Sequence, residues 1–348
     1  MPRYNRTLRN IYPVLILVLV MGLLTGCPGI GVRSPLTYNG LYFDTVISIT
    51  IYEYTGSSSE SILAECERIC SHYDLLLSPD NSGSDIYRIN HADTYPVKVD
   101  PDTAEAIRLG IHYGELSDGM VDITAGRLIE LWDINGQTGT DDPHIPSEEE
   151  IHEALSTVDY RGVSVLEDEA GQCYVNLDNP DSGLELGCIG KGIIADKLDK
   201  ALRDLGVTSA IINLGGNVTV IGHKPGGAPF RVGIQYPFRA PGETIAMTDA
   251  YDTSVVSSGV YERYFTLDGK NYHHIFDLRT GYPADSGVLG VTVRCASSAD
   301  ADALSTLFLI LGTDESIRLA ETMPDTEIML IDEGYNIITS SGWIGEVP

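Results

Sequence analysis

An α+β fold with largely antiparallel pairing is what this 348-residue sequence predicts, and three observations carry the expectation. Helical and strand-like segments follow one another without regular alternation, which argues against a doubly wound parallel sheet. Asp268-Gly269 sits between two strand-like runs and supplies the tight turn of a hairpin. An apolar content of 43% over this length can bury a large core, as one big domain or two intimately joined lobes.

Taken in order, the first 27 residues stand apart. Arg3, Arg6 and Arg9 precede an apolar run, Ile11 to Leu24, and Leu24-Thr25-Gly26-Cys27 offers a small-residue cleavage site. That pattern is a secretory signal, and the apolar run is shorter than the ~20 residues a membrane span needs. Its ending resembles a bacterial lipobox, which implies that residues 1–26 are removed and that Cys27 becomes a lipidated first residue. The expectation is a short tether over 27–40 and a domain over 41–348. The protein is then held on the extracytoplasmic face of the bacterial cell membrane by its lipid anchor.

The formal charge is −28, and loss of the three signal arginines takes it to −31. Such a surface makes nucleic acid an improbable partner and repels anionic headgroups, leaving the lipid to hold the domain at the membrane. An anionic ligand would need local positive charge or a metal. Besides Cys27 there are five cysteines, Cys66, Cys70, Cys173, Cys188 and Cys295, an odd number that argues against a complete disulfide framework. Cys66 and Cys70 share a helix face and read as two buried thiols.

Beyond the tether segment Ser34 to Tyr38, Thr45 to Tyr52 reads as strand. Ile62, Cys66, Ile69 and Tyr73 then recur at helical spacing within Glu60 to Leu76. A second helix is expected over Pro101 to Ser117, and polar, Gly- and Pro-bearing Asn135 to Ser147 as an exposed loop. Strands at Gly162 to Leu166 and Cys173 to Leu177 precede a helix whose apolar face is Ile194, Leu198, Ala201, Leu202 and Leu205, with Gly206 ending it. Ala210 to Asn213 and Val218 to Gly222 read as strands around Gly215-Gly216, and Tyr261 to Leu278 as the hairpin. The chain closes with helices at Ala299 to Leu311 and Glu315 to Glu321 and strands at Glu327 to Ile331 and Tyr335 to Thr339.

Five segments bear on chemistry. In LGCIGKGIIADKL, Leu186 to Leu198, three glycines surround Lys191 where a helix begins. Exposed amides at a helix start favour an anion, and phosphate is the obvious candidate, although the run matches no standard nucleotide motif. A tight strand-to-helix connection with a solvated lysine is the alternative. In SDGMVDITAGRLIELW, Asp118 and Asp122 stand four apart where carboxylates commonly cap a helix. Asp302 and Thr306, at i and i+4, point oxygens from one helical face, as hard ligands suited to Mg²⁺ or as an N-terminal acidic group favoured by the helix dipole. INLGGNVTVIG is either a hairpin turn or a place where backbone meets a flat ligand. His273 and His274 occupy adjacent strand positions and face opposite sides, so only one can enter a given pocket.

Together these segments resemble the ApbE family, the FAD:protein FMN transferases, from about Leu41 to Ile338. DGMVDITAGRLIELW is similar to the family's D-G-x-x-D-[IV]-T segment, LELGCIGKGIIADK to its glycine-lysine turn, and INLGGN to its double-glycine strand end. HHIFDLRTG is similar to its H-I-x-D-P-x-T-G segment and ADALST to its acidic metal helix. The resemblance implies a T-fold-like architecture of mixed sheets with packed helices, FAD as substrate beside Mg²⁺, and transfer of FMN with release of AMP. The acceptor is then a Thr or Ser hydroxyl of another protein, a flavoprotein subunit of a membrane redox complex.

By the same resemblance Phe43, Met120, Val121, Asp122, Glu185, Lys191 and Ile275 line the flavin nucleotide site, while the Cys188 carbonyl, Asp302 and Thr306 hold the metal. His274 is the candidate base. Three positions depart from the family: Phe43-Asp44-Thr45 replaces M-G-T, Asp80 stands where S-T-Y has its aromatic, and Leu278 replaces the proline of D-P-x-T-G. An FAD pyrophosphatase and a non-catalytic flavin-binding lipoprotein are the rival readings.

Overall fold

The computed structural model describes residues 34–43 and 45–346, so the expected signal, Cys27 and Asp44 lie outside the described residues. Strands β1 (Leu36–Tyr42) and β2 (Thr45–Tyr54) open the chain, followed by helices α1 (Ser59–Leu77) and α2 (Asp85–Asn90), strand β3 (Val97–Val99) and helix α3 (Pro101–Leu116). Helices α4 (Gly126–Trp132), α5 (Ile134–Gln137) and α6 (Glu148–Leu155) precede β4 (Val163–Glu167) and β5 (Cys173–Leu177). Helix α7 (Gly190–Asp204) leads to β6 (Val207–Leu214), β7 (Asn217–Ile221), β8 (Phe230–Gln235), β9 (Thr244–Ala250) and β10 (Thr253–Gly259). The hairpins β11 (Tyr264–Leu267) with β12 (Lys270–His273) and β13 (Phe276–Asp277) with β14 (Tyr282–Pro283) come next. The chain then runs through β15 (Val288–Cys295), α8 (Ser298–Leu311), α9 (Thr313–Ala320), β16 (Glu327–Asp332), β17 (Ile337–Thr339) and β18 (Gly345–Glu346).

Eight strands form one sheet in the order β1-β2-β6-β7-β10-β15-β16-β17, and every paired strand is antiparallel to its neighbour. The α+β expectation holds. Both faces of this sheet are covered at β16: Ile328 and Leu330 join the core shared with α1, α7 and α8, whereas Met329 and Ile331 pack against Ile234, Ile245 and Ala246 of a three-stranded sheet. Burial on both faces makes such strands continuously apolar. A satellite core under α4 and α6 takes Trp132, Ile151, Phe265 and Phe276, and the Trp132 indole donates to Gly281 O at 2.8 Å. The hairpin region is thereby seated on α4.

Several boundaries move from the expectation. Strand β1 takes in the end of the stretch expected as tether, because Leu36 to Tyr42 pairs with β2 along its whole length. The expected loop after Asn135 begins inside helix α5, where Ile134 and Gln137 are buried and Asp133 accepts the Gly136 N–H at 3.0 Å. Neither acid of the Asp118/Asp122 pair caps α4. Asp118 sits in left-handed backbone with φ 52°, and Asp122 turns onto the nearer amide of Thr124. The five cysteines are free, with Cys66 and Cys70 buried as expected. Among the described residues no helix is long and apolar enough to cross a membrane.

Candidate active site

Helix α7 begins where Gly190 and Gly192 leave the backbone bare, and the glycine-lysine turn meets α8 there. Gly192 N–H donates to Asp302 Oδ2 at 2.9 Å, linking residues 110 apart in sequence. Lys191 Nζ lies 3.5 Å from Asp302 Oδ1 and donates to Gly187 O at 3.3 Å. Asp302 is 3% exposed, and Thr306 follows one turn later on the same helix, half-buried. Cys188 is half-buried two residues before α7, close enough to Asp302 and Lys191 to feel both charges. Burial pushes its thiol pKa up, and for a hard cation the carbonyl oxygen is the better ligand candidate.

The second motif runs beside this turn. Glu185 N–H donates to Ile123 O at 2.8 Å and Gly126 N–H to Gly183 O at 2.9 Å, so Met120, Val121 and Asp122 are carried alongside Glu185. Val121 and Asp122 are buried and Met120 half-buried. The Asp122 carboxylate is engaged within the protein. Its Oδ1 accepts from the Thr124 N–H at 2.8 Å and hydroxyl at 2.7 Å, its Oδ2 from the Tyr160 N–H at 2.9 Å, and burial raises its pKa. What this segment can offer a ligand is therefore backbone and the edges of Met120 and Val121.

Glu185 accepts the Gly187 N–H at 2.9 Å. Burial raises its pKa, Arg263 and Lys191 oppose the rise, and the Asp80 carboxylate adds to it. Asp80, which replaces the family's aromatic, thus bears on the site as charge. Phe43 lies in left-handed backbone with φ 53°, its N–H donating to Asp74 Oδ1 at 2.8 Å. The turn it belongs to packs against the double-glycine turn, since Gly215 N–H donates to Val46 O at 3.2 Å. INLGGN is the β6–β7 hairpin turn, with φ of 60° at Gly215 and 104° at Gly216.

The two histidines part as expected. His273 is 5% exposed; it accepts the Ile275 N–H on Nδ1 at 3.3 Å and donates from Nε2 to Ala284 O at 3.0 Å, and burial depresses its pKa to about 4. It is a neutral structural residue, and it fixes the backbone of buried Ile275. His274 lies just beyond β12, half-buried, with Nδ1 3.2 Å from Arg263 O. A carbonyl only accepts, so Nδ1 carries the proton and Nε2 is the bare nitrogen. Burial and then the Arg263 charge hold its pKa well below 6.5.

Sequence reasoning passed over Glu262 and Arg263. They belong to the YERYF stretch beside the histidines, where a charged pair in an otherwise aromatic strand entry was the available signal. Loss of water among packed neighbours pushes the Glu262 carboxyl up to about 7, with Lys191 and Arg263 opposing and Asp302 reinforcing. Glu262 is nonetheless exposed on the surface, where water offsets part of that rise. Asp80, Glu185, Glu262 and Asp302 thus share a neighbourhood with Lys191 and Arg263, in which acidic groups outnumber basic ones.

Among the described residues one triplet of His, Cys, Asp or Glu side chains has ligand atoms mutually within 4.8 Å: His72, Asp100 and Asp102. It adjoins the part of α7 remote from Lys191, where Lys197 Nζ is 3.7 Å from Asp102 Oδ1 and His72 Nε2 is 2.9 Å from Oδ2. These pairings read as an ion-pair latch between α1, α3 and α7.

The ApbE family model matches residues 43–330. An FAD:protein FMN transferase of Klebsiella pneumoniae is 32% identical over 306 residues, covering 88% of this chain and 92% of its own. One of the same name from Treponema pallidum is 30% identical, covering 88% and 87%. The crystal structure of the ApbE protein of Thermotoga maritima superposes with a TM-score of 0.78 at 30% identity, over 88% of this chain and 97% of that one.

Proposed function

Since the chain belongs to the ApbE family, a family of transferases, we propose that it moves FMN from FAD to a Thr or Ser hydroxyl of an acceptor protein and releases AMP. The observation that carries this reading is the meeting of Lys191, the Gly192 amide and Asp302 at one helix start. The Lys191 ammonium beside that helix start suits a pyrophosphate.

Mg²⁺ fits the residues present. Asp302 Oδ1, the Thr306 hydroxyl and the Cys188 carbonyl would give an all-oxygen set, and the acid excess around Lys191 leaves an anionic substrate in need of a cation. When bound, Mg²⁺ supplies charge neutralisation at the phosphates. Lys191 holds the pyrophosphate, and the nearby Arg263 adds positive charge to the surroundings. Met120, Val121 and Ile275 line the nucleotide, and Phe43 closes the sheet end. His274 Nε2 takes the proton as the acceptor oxygen attacks the FMN phosphorus; the new P–O bond forms, the bridging P–O bond breaks, and AMP leaves with that oxygen. A phosphoester joins FMN to the acceptor.

Lipidation at Cys27 would place residues 41–348 outside the cytoplasm, where the acceptor would be a subunit of a membrane redox complex. Incubating the protein with FAD and Mg²⁺, with and without an acceptor bearing the target Thr, tests the reading by mass spectrometry. The acceptor should gain the mass of FMN, and Asp302→Ala should abolish this at limiting Mg²⁺ while remaining folded. FMN and AMP formed equally without acceptor would make the protein a pyrophosphatase, and FAD bound but intact would make it a flavin carrier.

A further inference from the structure

We propose that Asp196 is a positioning residue for this reaction, gripping the start of α8 so that Asp302 presents Oδ1 to Lys191 and to the metal. The proposal rests on the reading above. Gly192 and Asp196 are one turn apart on the same face of α7, and both touch α8. Asp196 Oδ1 accepts the Ser298 N–H at 2.7 Å, and Oδ2 accepts the Ala299 N–H and the Ser297 hydroxyl, each at 3.0 Å. One turn along α8, Asp302 Oδ2 accepts the Gly192 N–H at 2.9 Å. Two grips one turn apart on each helix fix both the separation and the rotation of α8 against α7.

Helix α8 does not need Asp196 in order to start. Ser297 already caps it locally, its Oγ accepting the Asp300 N–H at 3.1 Å, and Leu304, Leu307 and Phe308 anchor it in the core. What Asp196 adds is register between the helix that carries Lys191 and the helix that carries Asp302 and Thr306. The arrangement also has a cost, since burial, reinforced by Asp300, works against the charged carboxylate. Gripping by a charged group from the neighbouring helix orients a ligand carboxylate much as outer hydrogen-bond partners do in metal sites, where their loss typically lowers affinity ~10–100-fold.

The test uses Asp196→Asn, which keeps one acceptor oxygen but turns an NH₂ against an amide donor, and the milder Ser297→Ala, which takes one bond from Oδ2 together with the local cap on the Asp300 amide while the core contacts of α8 remain. Mn²⁺ binding to the FAD-saturated protein is read by electron paramagnetic resonance, alongside FAD affinity by fluorescence quenching without metal and thermal unfolding. The expected result for Asp196→Asn is Mn²⁺ affinity lowered about tenfold with FAD affinity within about twofold of wild type, and a smaller Mn²⁺ loss for Ser297→Ala. Mn²⁺ affinity equal in wild type and variants, including none in any, would overturn the proposal and leave Asp196 a structural cap. A wild type that binds Mn²⁺ but never cleaves FAD would count against the transferase reading, and the comparison of affinities would still decide Asp196.

Discussion

One methyl group added at Gly192 tests the helix contact on which the site depends. A Cβ there would lie 2.5 Å from Ala299 Cα and closer still to Ser298 O, both of them backbone atoms. Ordinary contact begins near 3.4 Å, so the first turn of α8 must retreat by about 1 Å. Alanine favours a helix over glycine by up to about 1 kcal/mol, whereas forcing atoms into a close-packed contact costs about 1–3 kcal/mol. Because the obstacle is backbone rather than a flexible side chain, strain outweighs propensity, and Gly192→Ala should be destabilised by up to about 2 kcal/mol. The same retreat stretches the 2.9 Å Gly192–Asp302 bond and the 3.5 Å Lys191–Asp302 pair. A misplacement of ~1 Å at a reacting centre can cost ~100-fold, so FAD cleavage should fall at least tenfold. Thermal unfolding and turnover at saturating Mg²⁺ measure the two effects. A variant at least as stable as wild type and fully active would refute the argument, since α7 and α8 could not then be in backbone contact.

Three further outcomes follow from the site. Lys191→Ala removes a charge-assisted contact worth ~1.5–3 kcal/mol, so FAD affinity or turnover should drop roughly ten- to a hundredfold with little change in melting temperature; unchanged values would return the turn to a solvated connection. Glu262, with its carboxyl raised from 4.5 to about 7, is neutral below that pH and adds negative charge to the site above it. FAD binding should therefore weaken as pH rises through about 7, and Glu262→Gln should flatten the titration; a variant retaining the slope would assign it elsewhere. His274 is held neutral by a pKa well below 6.5, so turnover should show no histidine limb at or above that pH, and His274→Ala should lose ~10²–10⁴-fold in turnover while binding FAD normally.

Features that depend on neighbours along the chain are legible in the residues alone. The spacing of Ile194, Leu198 and Leu202 set the inward face of α7, Gly206 with φ 81° ended it, and Asp268-Gly269 made the turn between β11 and β12. Ordered motifs named the family. Long runs such as Val288 to Cys295 gave no strand in that reading, since burial on both faces erases the period-2 alternation that marks a strand. Asp118 and Asp122 looked like helix caps because capping is a local pattern, yet Asp122 found closer donors in Thr124 and, across 38 residues, Tyr160.

Which faces meet follows from packing across the whole fold. That Gly192 admits α8, that Asp196 grips it, that Glu185 hangs on Ile123, and that Glu262 and Arg263 come near enough to Lys191 and Glu185 to feel their charge all depend on segments far apart in sequence. Local periodicity encodes that a face is apolar or a turn bare, because those properties follow from one residue's side chain and backbone freedom. Which partner covers that face is set by the summed shape and burial of the whole core. The motifs could therefore be read one by one, while the distance from Lys191 to Asp302 existed only once two helices had packed together.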